Sequence, residues 1–509
     1  MSVKSPNTLV QAVNYSFSYE QDHPLLNNLS LTISEGETTI LAGASGSGKS
    51  TLALCLNGLY PEAVEGYSTG ELFFRDKSVT SFEKGELNQQ IGIVFQDPES
   101  QFCMLKVEDE LAFTLENIET PREEMADLIS DVLEKIGITK LRHRDIHSLS
   151  GGQKQKVALA AVLLLKPTML ILDEPTANLD PQSRLEFVEL IERLSMTTLI
   201  IDHQLEDWLR FTDRMLVLSR SGELVLEGKP MELLRKHKNE LEAEGITFSP
   251  VYEELPHVDH GSEILRVQNL QFKRKKNVIL TNIDFSIHEK EFVAIVGGNG
   301  AGKSTMLQLL SRLLKPTRGS IELHGTAITS FQELELREKM GFVFQNPEHQ
   351  FITDSVEEEV AFGMEVRDES GIGARVDDLL QRFHLKNHRR ANPFSLSGGQ
   401  KRRLSVATML HEGQDILLFD EPTFGQDART SSELLKIVKS LQEQGTAIVF
   451  VTHDMDLVDQ YCDRALVFHE QELAFDGSPE ELFHNEALLQ AARLRKPYRM
   501  RQALEVVGQ

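Results

Sequence analysis

Short, uninterrupted apolar runs recur along the chain, and each ends at a polar or glycine-rich turn. Thr39-Ile40-Leu41-Ala42 and Phe292-Val293-Ala294-Ile295-Val296 both run into glycine-rich loops. Met169-Leu170-Ile171-Leu172 and Ile416-Leu417-Leu418-Phe419 both run into an Asp-Glu pair, and Thr198-Leu199-Ile200-Ile201 and Ala447-Ile448-Val449-Phe450-Val451 both lead toward a histidine. Apolar strands of this kind, alternating with helical stretches, predict an α/β fold with a mostly parallel sheet covered on both faces. Ile129, Val132, Leu133 and Ile136 fall at i, i+3, i+4 and i+7, as do Val376, Leu379, Leu380 and Phe383. That spacing predicts one amphipathic helix at the same place in each half.

The pairing extends to polar motifs. Gly43-Ala44-Ser45-Gly46-Ser47-Gly48-Lys49-Ser50-Thr51 recurs as Gly297-Gly298-Asn299-Gly300-Ala301-Gly302-Lys303-Ser304-Thr305. Phe95-Gln96-Asp97-Pro98-Glu99 recurs as Phe344-Gln345-Asn346-Pro347-Glu348, and Leu149-Ser150-Gly151-Gly152-Gln153 as Leu396-Ser397-Gly398-Gly399-Gln400. Asp173-Glu174-Pro175-Thr176 recurs as Asp420-Glu421-Pro422-Thr423, and His203 as His453. A constant order over half a chain marks duplication of a whole domain. The stretch from Lys236 to Ser262 mixes charges with Pro250, Pro256 and Gly261 and has little periodicity, as a linker does. The expected division is a first domain over 1–245, a linker over 246–262 and a second domain over 263–509 that ends in a helical tail.

Composition narrows the function classes. A length of 509 residues exceeds what one hydrophobic core serves. The formal net charge of −25 disfavours broad binding to nucleic acid or anionic lipid. The three cysteines, Cys55, Cys103 and Cys462, lie far apart without metal-site spacing, which points to a reducing cytosol. The start of the chain lacks a signal-peptide pattern. The apolar run Val157 to Leu165 falls short of the roughly 18 to 20 residues a membrane span needs, so no direct span is expected.

GxxxxGK[ST] after a strand is the P-loop pattern, in which glycines let backbone N–H groups point inward at phosphates. Lys49 and Lys303 would bring charge to the β- and γ-phosphates of ATP, and the hydroxyls of Ser50 and Ser304 would hold Mg²⁺. A chance glycine-rich turn could account for one match, but two at the same place in a duplicated order leave it little room. Asp173 and Asp420, at strand ends, can reach Mg²⁺ through water. Glu174 and Glu421 would orient or deprotonate the attacking water, a role that contributes about 10² to 10⁴-fold in rate, or roughly 3 to 5 kcal/mol. Isolated Asp-Glu pairs are usually solvated turns, and the surrounding motifs reverse that expectation here. Ser150, Gly151, Gly152 and Gln153, like Ser397, Gly398, Gly399 and Gln400, open helix-like runs whose first N–H groups and dipole favour an anion.

With these motifs in place, the chain resembles the ATP-binding-cassette (ABC) family, and the resemblance covers nearly its whole length. It implies two tandem P-loop NTPase domains, each with a mostly parallel sheet, an antiparallel β subdomain and a helical subdomain. In that family the Ser-Gly-Gly of one cassette closes on the γ-phosphate held by the other. This implies an intramolecular pair with two composite sites, joining Gly43–Thr51 to Ser397–Gln400 and Gly297–Thr305 to Ser150–Gln153. Tethering raises the effective concentration of the second cassette. Gln96 and Gln345 match the family's Q-loop, which senses Mg²⁺ and the attacking water. His203 and His453 match its switch histidine, and Asp180 and Asp427 fit the D-loop. A lone histidine at a strand end is more often structural, but recurrence downstream of Asp-Glu-Pro-Thr favours function.

Four kinds of ABC protein compete: an importer motor with separate membrane subunits, a soluble twin-cassette translation factor of the ABC-F kind, a repair or chromosome ATPase, and a fused sugar-importer motor. The short acidic linker and Asn178-Leu179-Asp180 disfavour ABC-F, and every catalytic motif is intact twice. Gln96 to Phe102, Gln345 to Phe351, Val107 to Phe113, Val356 to Phe362 and Phe424-Gly425-Gln426-Asp427 resemble energy-coupling-factor (ECF) importer ATPases. The resemblance implies a peripheral ATPase on the cytoplasmic side of the cell membrane. Its partners would be a transmembrane coupling subunit and a substrate-binding membrane subunit for a vitamin or metal ion. Phe102, Met104, Phe351 and Ile352 are candidates for the docking groove, with plain core packing as the competing account. Asn57-Gly58-Leu59-Tyr60-Pro61 looks most like ATPases assigned to uptake of thiamine or its hydroxymethylpyrimidine precursor.

The halves differ where adenine would stack. Tyr19 fits the aromatic position upstream of the first P-loop, and Arg274 takes the matching place in the second. Base–aromatic stacking is worth about 1 to 3 kcal/mol, so ATP binding at the second P-loop should be equal or weaker. Equal losses of ATP affinity in Tyr19→Ala and Arg274→Ala, measured by calorimetry, would argue against the asymmetry.

Overall fold

In the computed structural model, residues 7–21, 23–61, 63–177, 179–246, 258–410, 414–423 and 428–501 are described. Most of the expected linker (247–257) and the Phe424-Gly425-Gln426-Asp427 segment lie outside them. The chain divides into two compact units, residues 1–248 and 249–509.

Each unit is built on a six-stranded sheet with the same spatial order. In the first it runs Leu224–Gly228, Arg214–Leu218, Thr38–Gly43, Thr197–Ile201, Met169–Asp173, Ile91–Val94. In the second it runs Glu472–Gly477, Arg464–His469, Phe292–Val296, Ala447–Val451, Ile416–Asp420, Met340–Val343. Five strands of each sheet pair in parallel, and the sixth folds back antiparallel at one edge.

The central strands are apolar throughout because both faces are covered. Leu170, Leu172 and Ile200 point to the face packed by Leu111, Leu133, Val157 and Leu159 from the helices. Met169, Ile171 and Leu199 point to the opposite face, against Leu52, Cys55 and Leu56 of the helix after the P-loop. That second face also meets a smaller antiparallel sheet, ordered Leu26–Ser34, Thr8–Ser18, Tyr67–Phe74, Lys77–Ser78. Its counterpart in the second unit is ordered Asn277–His288, Glu263–Arg274, Arg318–Leu323, Thr326–Ala327.

The helical part of each unit lies between the Q-loop and the Asp-Glu strand. It comprises Val107–Asn117, Arg122–Ile136 and Gly151–Leu164 in the first unit, and Val356–Val366, Ile372–Arg382 and Gly398–Met409 in the second. The expected amphipathic helices are there: Ile129, Val132, Leu133 and Ile136 are buried on one side of Arg122–Ile136. Gly137, in the left-handed conformation at φ 77°, terminates that helix. In the second unit Phe383, the residue capping the helix, completes the buried stripe of Val376, Leu379 and Leu380.

Leu133 is fully enclosed at 0% exposure. Leu133→Ala should therefore destabilise the first unit by about 2 to 5 kcal/mol, as large-to-small core changes do. Urea denaturation checks this, and a change under about 1 kcal/mol would show that the site collapses around the gap.

Candidate nucleotide-binding and hydrolysis sites

Four adjacent parallel strands deliver the site. Thr38–Gly43 ends at the P-loop, Thr197–Ile201 just before His203, Met169–Asp173 at the Asp-Glu pair, and Ile91–Val94 just before Gln96. All four run in one direction, so their carboxyl ends bring together residues far apart in sequence. The second unit repeats the arrangement with Gly297, His453, Asp420-Glu421 and Gln345.

Gly43, Ala44, Ser45, Gly46, Ser47 and Gly48 form the turn into the helix Lys49–Leu56, whose first turn holds Ser50 and Thr51. Gly297, Gly298, Asn299, Gly300, Ala301 and Gly302 do the same ahead of Lys303–Leu310, with Ser304 and Thr305 in its first turn. Gly48 and Gly302 sit at φ 92° and 96°. A Cβ there would lie 2.6 Å from Leu26 Cδ2 or 2.7 Å from Leu280 Cδ2, so both conformation and space require glycine. Lys49 Nζ donates to the carbonyls of Gly43 and Ala44 at 2.8 and 2.9 Å, and Lys303 Nζ to those of Gly297 and Gly298 at 2.8 and 3.1 Å. The ammonium is thus held over the loop into which phosphates would fit.

Ser50 Oγ donates to Asp173 Oδ1 at 2.9 Å, and Ser304 Oγ donates to Asp420 Oδ1 at 2.9 Å. Burial pushes each aspartate up to about 6, against the opposing pull of the serine hydroxyl. A buried carboxylate beside a hydroxyl is a hard-oxygen pair of the kind Mg²⁺ takes, and a cation would relieve that burial penalty. The residues therefore fit the metal.

The next residue behaves oppositely. Burial alone would raise Glu174, but the hydrogen bond and charge of His203, followed by Lys49, outweigh it and hold the carboxyl below its usual range. Glu421 is likewise lowered: His453 and the more distant charges of Lys303 and Arg402 overcome its burial. His453 is in turn raised, because Glu421 more than offsets the effect of burial on the ring. Adjacent carboxyls with opposite shifts divide between two tasks.

The structure joins the three residues that sequence could only name separately. Gln96 Nε2 donates to Glu174 Oε2 at 2.8 Å, and His203 Nε2 lies 3.0 Å from Glu174 Oε1. In the second unit, Gln345 Nε2 donates to Glu421 Oε2 at 3.3 Å, and His453 Nδ1 lies 3.3 Å from Glu421 Oε1. Both glutamates sit at φ 48°, a left-handed conformation unfavourable for a side chain of this size. The backbone N–H of each is held by the neighbouring strand, Glu174 by Ile201 O at 2.7 Å and Glu421 by Val451 O at 3.0 Å.

Ser-Gly-Gly-Gln has a local logic of its own. Gln153 N donates to Ser150 Oγ at 3.4 Å and Ser150 N donates to Gln153 Oε1 at 3.1 Å; Ser397 and Gln400 repeat the exchange at 3.4 and 2.9 Å. The motif is a capping box, which explains why a glutamine follows the two glycines, and both serines are exposed.

Other candidates take more structural places. Asp180 is buried and caps the helix Pro181–Leu194, accepting from Ser183 N and Ser183 Oγ at 2.9 Å each; its expected counterpart Asp427 lies outside the described residues. Tyr19 is exposed, meets Thr51 Oγ1 through its hydroxyl at 3.2 Å and packs edge-on against Phe17 and Tyr60. Arg274 lies at the tip of a strand pair, opposite Asn277. Phe17 pairs with Leu26 and Phe272 with Leu280, which confirms that the segment carrying Tyr19 has one residue more. The four groove candidates divide: Phe351 is core, Phe102 and Met104 are half-buried, and Ile352 is 64% exposed.

Sequence reasoning missed a difference beneath the Q-loops. Gln155 donates to Phe95 O at 3.2 Å, whereas Arg402, at the matching helix position, donates to Phe344 O and Gln345 O at 2.5 Å each and to Glu421 O at 3.3 Å. Burial lowers that guanidinium to about 10. It missed Glu110 and Glu359 as well, buried carboxylates that accept two backbone N–H groups each at the Q-loop exit, from Cys103 and Met104 and from Ile352 and Thr353. The available signal was an acidic residue at the helical spacing of apolar positions: Glu110 falls with Val107, Leu111 and Leu115, and Glu359 with Val356, Val360 and Met364.

Two P-loops at strand ends, each facing a polarised Asp-Glu pair, define a twin P-loop ATPase. The ABC transporter family profile matches residues 26–177 and 280–424. The chain is 46% identical to the "Putative HMP/thiamine import ATP-binding protein YkoD" of Bacillus subtilis, over 96% of this chain and 95% of that protein. It is 34% identical to a "Putative ABC transporter ATP-binding protein" of Methanosarcina mazei, over 98% and 94%. The solved cbiO1 of Clostridium perfringens, part of the ABC transporter complex cbiONQ, is 34% identical and aligns over 48% of this chain and 99% of its own, with a TM-score of 0.42. The chain belongs to the ABC transporter family: it is an ATP-binding protein with two ABC cassettes, an ATPase coupled to transport.

The left-handed backbone at Glu174 has a measurable consequence. Glu174→Gly should be about 1 kcal/mol more stable than Glu174→Ala, because only glycine takes φ 48° without strain. Thermal unfolding of the two variants tests it, and equal stability would locate the strain elsewhere.

Proposed function

We propose that this protein is the ATP-hydrolysing subunit of an importer, energising uptake of a small molecule through separate membrane subunits at the cytoplasmic face of the cell membrane. The observation that carries the reading is the 46% identity, over nearly the full length of both proteins, to a relative named for HMP/thiamine import. On that ground the cargo is a vitamin or its precursor, such as thiamine or hydroxymethylpyrimidine, rather than a metal ion. Among the described residues no helix is long and apolar enough to cross a membrane, and the reading gives that task to a coupling subunit and a cargo-binding subunit. Leu105 and Ile352, 65% and 64% exposed just beyond the two Q-loops, are apolar positions such a coupling subunit could cover.

The chemistry follows from the side chains. Lys49 and Lys303 exchange their loop carbonyls for the β- and γ-phosphates of ATP. Ser50 with Asp173, and Ser304 with Asp420, would hold Mg²⁺, with Gln96 and Gln345 sensing it from the Q-loop. When bound, the metal neutralises charge on the phosphate oxygens. Glu174 and Glu421, kept ionised, orient the attacking water and accept its proton. His203 and His453 hold those carboxylates and contact the γ-phosphate. The Ser150–Gln153 and Ser397–Gln400 helix starts would present N–H groups to phosphate, an assignment that rests on the family resemblance.

Glu174→Gln combined with Glu421→Gln should trap ATP and stop turnover, because the amide no longer accepts the proton. Turnover near the normal rate in that double variant, followed by phosphate release, would remove both glutamates from the mechanism. Affinity purification from detergent-solubilised membranes tests the partners. Small polytopic proteins are the expected companions, and ribosomal proteins in their place would overturn the importer reading.

A further inference from the structure

Beside the first hydrolytic site lies a buried carboxylate that the reaction itself does not use. Asp202, 6% exposed, directly precedes His203. Its Oδ2 accepts from Thr176 Oγ1 at 2.6 Å and from the indole Nε1–H of Trp208 at 3.0 Å, while Oδ1 accepts from Gln204 N at 3.0 Å. Thr176 stands two residues after Glu174, and Gln204 one residue after His203. One side chain therefore ties the turn that carries the general-base candidate to the turn that carries the switch histidine. The backbone adds a second tie at the same level, from Glu174 N to Ile201 O at 2.7 Å.

The second unit is built otherwise. Thr452 takes the place of Asp202 and Val458 that of Trp208. The Thr452 hydroxyl accepts from Asp454 N at 3.0 Å, within its own turn. A carboxylate offers about four lone-pair sites and a formal charge, and makes stronger hydrogen bonds than a hydroxyl. The histidine contact onto the glutamate also differs: His203 meets Glu174 through Nε2 at 3.0 Å, and His453 meets Glu421 through Nδ1 at 3.3 Å.

We propose that Asp202 is a positioning residue of the first cassette only, holding Glu174 and His203 in register through Thr176 and the switch turn. The two sites are consequently non-equivalent: the first is organised by a side-chain carboxylate on the histidine side, and the second by the Arg402 clamp on the Q-loop backbone. Small misplacements of a catalytic group can lower a rate by up to about 10²-fold. Releasing this tie should slow the first site about ten-fold while leaving the P-loop, and with it ATP affinity, alone.

The inference rests on the proposed roles of Glu174 and His203, which the glutamate variants test separately. The experiment compares steady-state ATP hydrolysis by the full-length chain with that of D202N, T176V and D202N/T176V. With two equally contributing sites, a ten-fold loss at the first leaves about 0.55 of the total rate; expected are therefore a kcat at or below about 0.7 of the wild-type value in D202N and in T176V, a KM for ATP within about two-fold, and a double variant no slower than the slower single one. Trp208, the sole tryptophan and fully buried, reports through its emission maximum whether the pocket stays packed. If D202N shifts that emission to the red, T176V, which keeps both the carboxylate and the indole bond, decides alone. A kcat above about 0.7 of wild type, losses that multiply in the double variant, or a rise in KM that accounts for the loss would each overturn the proposal.

Discussion

A parallel sheet covered on both faces can offer polar chemistry only at its strand ends, and everything in each cassette depends on that constraint. Strands such as Met169–Asp173 and Ile416–Asp420 are buried along their whole length, so their first place for a charge is the last residue. Four neighbouring strands end together, and the charges they deliver share a small, partly desolvated volume. There burial raises the two aspartates, while a histidine and a lysine hold the adjacent glutamates down. The division of labour between neighbouring carboxyls is thus set by the environment that the sheet imposes rather than by residue type.

Strain enters at the same point. Both glutamates occupy a left-handed backbone conformation, and in both units the N–H of that residue is bonded to the adjacent strand that leads to the histidine. The sheet's own hydrogen bonding turns each glutamate out of the strand and aims it between the Q-loop and the switch loop. Recurrence of the same φ in two sequences that differ at most other positions argues that the conformation belongs to the site.

Duplication has kept this geometry and let its supports diverge. Tyr19 against Arg274, Gln155 against Arg402, and Asp202 against Thr452 all lie around the conserved constellation rather than in it. The last two pairs each exchange one way of holding a loop for another: a single amide bond for a three-carbonyl clamp, and a shared carboxylate for a local hydroxyl cap. Two halves of one chain are free to specialise in this way, because each carries its own supports.

The central apolar strands, one amphipathic helix in each half, the duplication and the P-loop, Asp-Glu and Ser-Gly-Gly-Gln motifs were legible in the sequence, because continuous apolar runs, helical spacing and loop chemistry are local properties. The amphipathic stripe at Ile129 to Ile136 and the apolar runs into Asp173 and Asp420 needed no tertiary information. What sits beneath the loops was not legible. Nothing in the local pattern distinguishes Asp202 or Arg402 from an ordinary surface charge, nor shows Phe351 in the core with Ile352 outside it. Those assignments depend on which groups from different strands, helices and loops meet, as Gln345 and Arg402 meet Glu421 and as Lys49 and His203 meet Glu174. Local sequence encodes propensity and periodicity, whereas desolvation and charge pairing arise only when distant segments are packed together, and here they decide how each carboxyl behaves.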